Sequence, residues 1–218
     1  MDKASGLAGF VIGGKINKKE RLCDMATESL NIFLSASVPV AGRADGEYLA
    51  TADIIAIRDA VIALASVVLP KYHLIWGGHP SITPLITNVL KHSNKEVNAS
   101  VTVYQSGFFS NVFPEENRNV EHIVITENLG DRNRSLELMR KQMIEDNQYG
   151  AAVFIGGMDG VEKEFDLFRK MHPGVPCLPI ASTGAAAKIL YNRYSGEFNE
   201  RLLTELSYAS LFKDMLGL

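Results

Sequence analysis

Short runs of apolar and β-branched residues recur along the chain, separated by longer stretches in which apolar positions return every three or four residues. The runs are NIFLSAS (31–37), YHLIWGG (72–78), ASVTVYQS (99–106), EHIVITEN (121–128), AAVFIGG (151–157) and VPCLPIA (175–181). Continuous apolar runs of this length predict strands buried on both faces, the mark of a parallel sheet. Helices are predicted between them, at 51–69, 81–92, 132–147, 160–171 and 183–191. Strand followed by helix, several times over, predicts an α/β fold: a Rossmann-like, doubly wound, mainly parallel sheet with helices on both faces.

Three stretches stand apart from this alternation. VPVAGRADGEYLAT (38–51) reads as a long glycine-bearing loop after the first strand, where an open α/β sheet usually places ligand contacts, and its Arg43 and Tyr48 are placed to close over a ligand. GFFSNVFPEENRN (107–119) carries aromatics together with Pro114 and reads as a loop or short helix. NERLLTELSYASLFKDML (199–216) puts Leu202, Leu203, Leu206, Ala209, Phe212 and Met215 on one helical face, which docks on the chain's own core or, alternatively, forms a dimer interface. One domain over 1–218 is expected, with an N-terminal extension (1–30), a Rossmann-like core (31–190) and a C-terminal helix (199–216).

Composition narrows the function classes. The 218 residues are 46% apolar, enough for a sizeable core, and the most apolar stretch (52–69) holds Asp53, Arg58 and Asp59, so it reads as a buried helix and not a membrane span. The N-terminal patch is too short, and its lysines wrongly ordered, for a secretory signal, which predicts a cytoplasmic protein. Net charge is −3 with no basic stripe, against nucleic-acid binding. Cys23 and Cys177 have no CxxC spacing and read as small buried thiols, and the five histidines form no metal-binding pattern.

Candidate chemistry therefore lies at strand ends, where the amides of a helix N-terminus open into the crevice. Ser35 and Ser37 sit at the tip of strand one. Gly77, Gly78 and His79 end strand two, with a helix expected to open near Pro80 and Ser81. Gly156, Gly157, Met158 and Gly160 follow strand five, while Ser182 and Thr183 are candidate helix caps after strand six. Two Gly-Gly ends and two hydroxyl-rich ends in one sheet predict a shared crevice for a phosphate-bearing ligand. Trp76 reads as sheet packing, and His79 is placed to bond a ribose or a base.

LSAS, WGGHPSITPLI and FIGGMDGVEKEF together resemble the SLOG superfamily, which includes the Lonely Guy phosphoribohydrolases, the DprA/Smf proteins and nucleotide-sensing modules fused to Sir2 or TIR domains in antiviral systems. The likeness covers roughly residues 31–190 and is greatest to the sensing modules. The hydrolases carry PGGxGTxxE after a late strand. This chain keeps Gly156, Gly157, Gly160 and Glu164 of it, with Ile155 for the proline, Val161 for the threonine and one extra residue between the glycines. It also keeps an Arg-Lys pair, Arg140 and Lys141, on the helix before that strand, where the hydrolases hold a functional arginine.

The resemblance implies that the chain binds a nucleotide or nucleotide-derived signal of the NAD or ADP-ribose class, in antiviral or stress signalling. It implies no cofactor, a homo-oligomer, and a separate effector protein to supply an output. The rival it implies is a phosphoribohydrolase-like N-glycosidase using Arg140 and Glu164: a carboxylate stabilises the oxocarbenium-like ribose and positions water, and an arginine clamps phosphate or base. The plain alternative for both side chains is a solvated helix surface.

Overall fold

Odd and even positions of the first strand face two separate cores. The computed structural model describes residues 31–42, 46–93 and 100–218; Cys23, Arg43 and the N-terminal stretch lie outside them. Strand β1 (Asn31–Ser37) sends Ile32 and Leu34 to one side and Phe33 to the other, all with 1% exposure or less. The remaining strands are β2 (His73–Trp76), β3 (Val101–Ser106), β4 (His122–Thr126), β5 (Tyr149–Gly156) and β6 (Cys177–Ile180). All neighbouring pairs are parallel, in the order β4-β3-β2-β1-β5-β6. This is the doubly wound α/β sheet that the apolar runs predict.

The helices are α1 (Glu47–Thr51), α2 (Ile54–Val68), α3 (Thr83–Lys91), α4 (Arg132–Glu145), α5 (Asp159–Met171), α6 (Ala185–Arg193), α7 (Arg201–Thr204) and α8 (Tyr208–Leu216). Buried residues of α2, α3 and α8 share a core with Ile32, Leu34, Val153 and Ile155. Those of α4, α5 and α6 share the other with Phe33 and Phe154. Phe33 stacks on Phe168 of α5 with ring centroids 5.2 Å apart, and Phe154 meets Phe165 edge-on at 4.9 Å. Asp53 and Asp131 cap α2 and α4 by accepting the Ala56 and Arg134 amides at 2.9 Å each. No helix among the described residues is long and apolar enough to cross a membrane.

Four expectations change. Strand β4 is not buried on both faces: it is an edge strand, and His122, Ile123, Val124 and Ile125 are exposed. The C-terminal helix is two helices, broken where the Glu205 carboxylate accepts the Ser207 amide; Leu206 is 67% exposed, whereas Leu202, Leu211 and Phe212 enter the core beside α2. The loop after β1 contains α1, whose Tyr48 is buried, so that side chain packs inward and closes over nothing. The helix after β2 opens at Thr83, with Pro84 in its first turn, later than Pro80 and Ser81. The 107–119 stretch forms two 3-10 segments, Gly107–Val112 and Glu115–Asn119. Cys177 is half-buried, and burial pushes its thiol up to about 12, which keeps it protonated and unreactive.

At the amino ends of β2 and β4, His73 bonds Thr102 at 2.8 Å and faces His122, with ring centroids 6.4 Å apart. Burial, and secondarily the His122 charge, lower the pKa of His73 from its ordinary 6.5. The unfolded chain therefore binds a proton here more readily than the folded one. This stability is present above about pH 6.5 and is lost as pH falls through the lowered folded value. The urea midpoint is expected to drop as pH is taken from about 7.5 to 5.5, and less steeply in His73→Gln. Parallel slopes for the two proteins would contradict this.

Candidate functional site

The chain runs outward from β1 through β2 and β3 to β4, then returns to the other side of β1 to lay down β5. At such a reversal the connections leave in opposite directions and a crevice opens at the carboxyl ends of the strands. Here it is a cavity of about 300 Å³ walled by the ends of β1, β2 and β3, the 107–114 segment, α4 and the start of α5.

Sequence-predicted residues meet in it. Ser37 lines it from β1, Gly77, Gly78 and His79 from the end of β2, and Met158 and Gly160 from the start of α5. Arg140 and Glu164 also line it, and they are neither solvated nor apart. Arg140 Nε donates to Glu164 Oε1 at 3.1 Å, and the side chains are only 14% and 12% exposed. The fully buried Ser35 donates its hydroxyl to the other carboxylate oxygen, Oε2, at 2.6 Å. Glu164 stands in the second turn of α5, past the helix N-terminus, so the surface reading of this pair does not hold.

Gly156, Gly157, Ser182 and Thr183 do other work. The positive φ of Gly156 and Gly157, 55° and 88°, turns the chain from β5 into α5. Their amides are already spent: Gly156 N–H donates to Thr183 Oγ1 at 2.9 Å and Gly157 N–H to the Ser37 carbonyl at 2.8 Å. Thr183 in turn donates to the Ile180 carbonyl at 2.6 Å, and Ser182 donates to Tyr208 at 3.3 Å. Neither hydroxyl caps α6, whose N-cap is Gly184 without a side-chain bond. None of these four residues lines the cavity.

The ring proton of His79 has a definite place. The Ser81 amide donates to Nδ1 at 3.2 Å, so in the neutral ring Nδ1 is bare and Nε2 carries hydrogen. The Ser81 hydroxyl, 2.8 Å from Nδ1, then donates to it as well, and accepts the Val38 amide at 3.3 Å. The ends of β1 and β2 are thereby tied together, with His79 on the cavity wall beside them.

The first turn of α5 is a poor place for a phosphate. Asp159 and Glu162 stand in it, and Asp159 is held below the usual carboxylate range first by its hydrogen bond from Lys163, with burial opposing. Glu162 accepts from the Tyr48 hydroxyl at 2.5 Å and from Arg193, outside the cavity. Burial, and then Glu162, raise the pKa of Tyr48 above that of a free phenol, so this network stays closed at neutral pH. Positive charge comes instead from α4, where Arg132 and Arg140 line the cavity with Leu136 and Met139 between them.

Residues that the strand-end glycines did not point to complete the wall. Gln105 and Ser106 end β3, and Phe109, Val112 and Phe113 come from the 107–114 segment. The polar pair in Tyr104-Gln105-Ser106-Gly107, closing an otherwise apolar run, was the available signal.

The sequence model of the SLOG cluster3 family matches residues 47–216. Among solved structures, the X-ray structure of TM1055, a structural genomics target, matches with a TM-score of 0.48 and 14% identity, over 85% of this chain and 99% of that one. No curated protein matches the chain.

Proposed function

Because the chain belongs to the SLOG cluster3 family, we propose that it binds a nucleotide or nucleotide-derived signal of the NAD or ADP-ribose class in the cavity at the strand ends, for a separate effector protein to read in antiviral or stress signalling. The observation that carries this reading is Glu164, held on the cavity wall by Arg140 and Ser35. An ionised carboxylate is an acceptor-only group suited to ribose hydroxyls, and a guanidinium suits phosphate. The cavity volume of about 300 Å³ is at the lower end for ligand sites and favours a nucleoside monophosphate, or that half of a larger molecule, inside the walls.

A second reading has an observation of its own. Glu164 is already fixed in one orientation by two hydrogen bonds, as a carboxylate beside a cleaving glycosidic bond needs to be. In that reading water attacks the ribose C1′, the C1′–N bond breaks with its electron pair leaving on the base, Glu164 takes the proton of the attacking water and returns it to solvent, and the base takes a proton from solvent.

One experiment separates the two. The protein and Glu164→Gln are incubated with nucleoside monophosphates, NAD, ADP-ribose and cyclic ADP-ribose, chromatographed, and melted. The sensor reading expects an unaltered panel and at least one compound that stabilises the wild type by about 2.7 kcal/mol at 100-fold excess over Kd. That is a Tm rise of roughly 5–10 °C, reduced in Glu164→Gln. Free base released by the wild type alone would establish the hydrolase instead. A panel neither altered nor stabilising would sink both.

A further inference from the structure

From the wall of the cavity we infer that its β3 end is a nucleobase pocket and that Ser106 is the residue that reads the edge of the base. This rests on the nucleotide reading above and names the part of the ligand and the side chain that selects it. Phe109, Val112 and Phe113 from the 107–114 segment face the cavity together with Leu136 and Met139 of α4. Two aromatic rings, a thioether and branched aliphatics form a surface for a flat, weakly hydrated ring, and not for a sugar or a phosphate.

Inside this apolar wall sits a hydroxyl with nothing to bond. Ser106 lines the cavity at the carboxyl end of β3 and is 1% exposed, and its Oγ has no hydrogen-bond partner among the described residues. Buried polar groups are almost always paired, so one left over beside a cavity points to a partner that comes from outside the chain. Gln105, the other polar residue at this end, differs: its Nε2 donates to the Gly78 carbonyl at 3.2 Å and serves to fasten β3 to the turn after β2. Among the described residues that line the cavity, Ser106 is the one whose side-chain oxygen is both buried and without any bond. A hydroxyl is both donor and acceptor, which suits the mixed edge of a base.

Charge agrees with this placement. Along α4 the cavity-facing residues run Arg132, Leu136, Met139, Arg140, so the apolar pair lies between two cations. Arg140 stands with Glu164, where a ribose would meet it, and Arg132 is exposed at the start of the helix, open to a charged group at the mouth. The base takes the interval between them.

The test is calorimetric titration of wild type and Ser106→Ala with the four common nucleoside 5′-monophosphates, alongside melting of both proteins without ligand. The ligand-free variant is expected to melt roughly 2–4 °C higher, because an unpaired buried hydroxyl is gone. It should bind the preferred monophosphate about tenfold more weakly, and the spread between best and worst base should shrink. Unchanged affinity, or an equal fall for every base, would overturn the assignment, since the hydroxyl would then serve nothing or the sugar. If Ser106→Ala does not fold, Ser106→Cys, a near-isostere with a weaker donor, is read in the same way. Failure of all four monophosphates to bind the wild type would remove the nucleotide reading itself and this one with it, a result distinct from binding that ignores Ser106.

Discussion

A Gly184→Ala variant is expected to lose about 4 kcal/mol or more of stability and to melt roughly 10 °C lower than the parent. Gly184 has φ 72° and ψ −158°, a combination open in practice only to glycine. A Cβ there would overlap the Thr51 carbonyl oxygen and come within 2.6 Å of its carbon. Backbone, unlike a side-chain end, has nowhere to go, because the same junction is closed by Asp53 N–H on the Thr183 carbonyl at 3.2 Å and Ala185 N–H on Thr51 Oγ1 at 3.0 Å. The neighbouring position gives the control. Ala185 has φ 54°, so Ala185→Gly relieves strain as it removes a buried methyl group, and the net change should lie within about 1 kcal/mol. Urea melts of the two variants check both signs. A Gly184→Ala loss no larger than that of Ala185→Gly would mean that α1 does not press on this turn.

The second large effect concerns the pair on the cavity wall. Arg140→Ala should cost about 3 kcal/mol, because it strands Glu164, 12% exposed, with only the Ser35 hydroxyl to answer its charge. Glu164→Gln should cost about 1 kcal/mol, since the amide oxygen still accepts from Arg140. Combining them should recover part of the first loss: with no carboxylate left, nothing is stranded. A double-mutant cycle in urea is expected to give a coupling of about 1–2 kcal/mol. Simple additivity would mean that water already screens the pair, and would remove the argument that Glu164 is held for a ligand. Arg140→Ala is also expected to abolish the ligand-induced Tm rise.

Much of the fold could be read from residue chemistry, and particular residues show where this stopped. β1 was legible to its ends because Asn31 and Ser37 bracket a run buried on both sides. Ile123, Val124 and Ile125 form as apolar a run, yet they are exposed, because a run reports side-chain chemistry and not whether a helix lies over the strand. Which strands become the edges depends on long-range pairing that no local window contains. Leu206 was spaced correctly for a helical face, but the Glu205 side chain captures the Ser207 amide and breaks the helix first. At the site, Arg140 and Glu164 were reachable through a resemblance of motif. Ser106 was not: its significance is a missing partner, which appears only once the chain around it has folded.

The register of β1 has a consequence for biosynthesis. β1 pairs with β2 on one side and, on the other, residue for residue with β5, from Ile32 opposite Ala151 to Ser37 opposite Gly156. A ribosome delivers β1 to β4 long before β5. Until β5 emerges, the middle strand of the finished sheet is an open edge lined by Phe33 and Leu34, ready to pair with whatever strand is near. Folding should therefore be slow and late, set by loop closure over more than half the chain. Poor yields on rapid expression, relieved by lower temperature or chaperones, would trace to this strand and not to any weakness of the finished molecule.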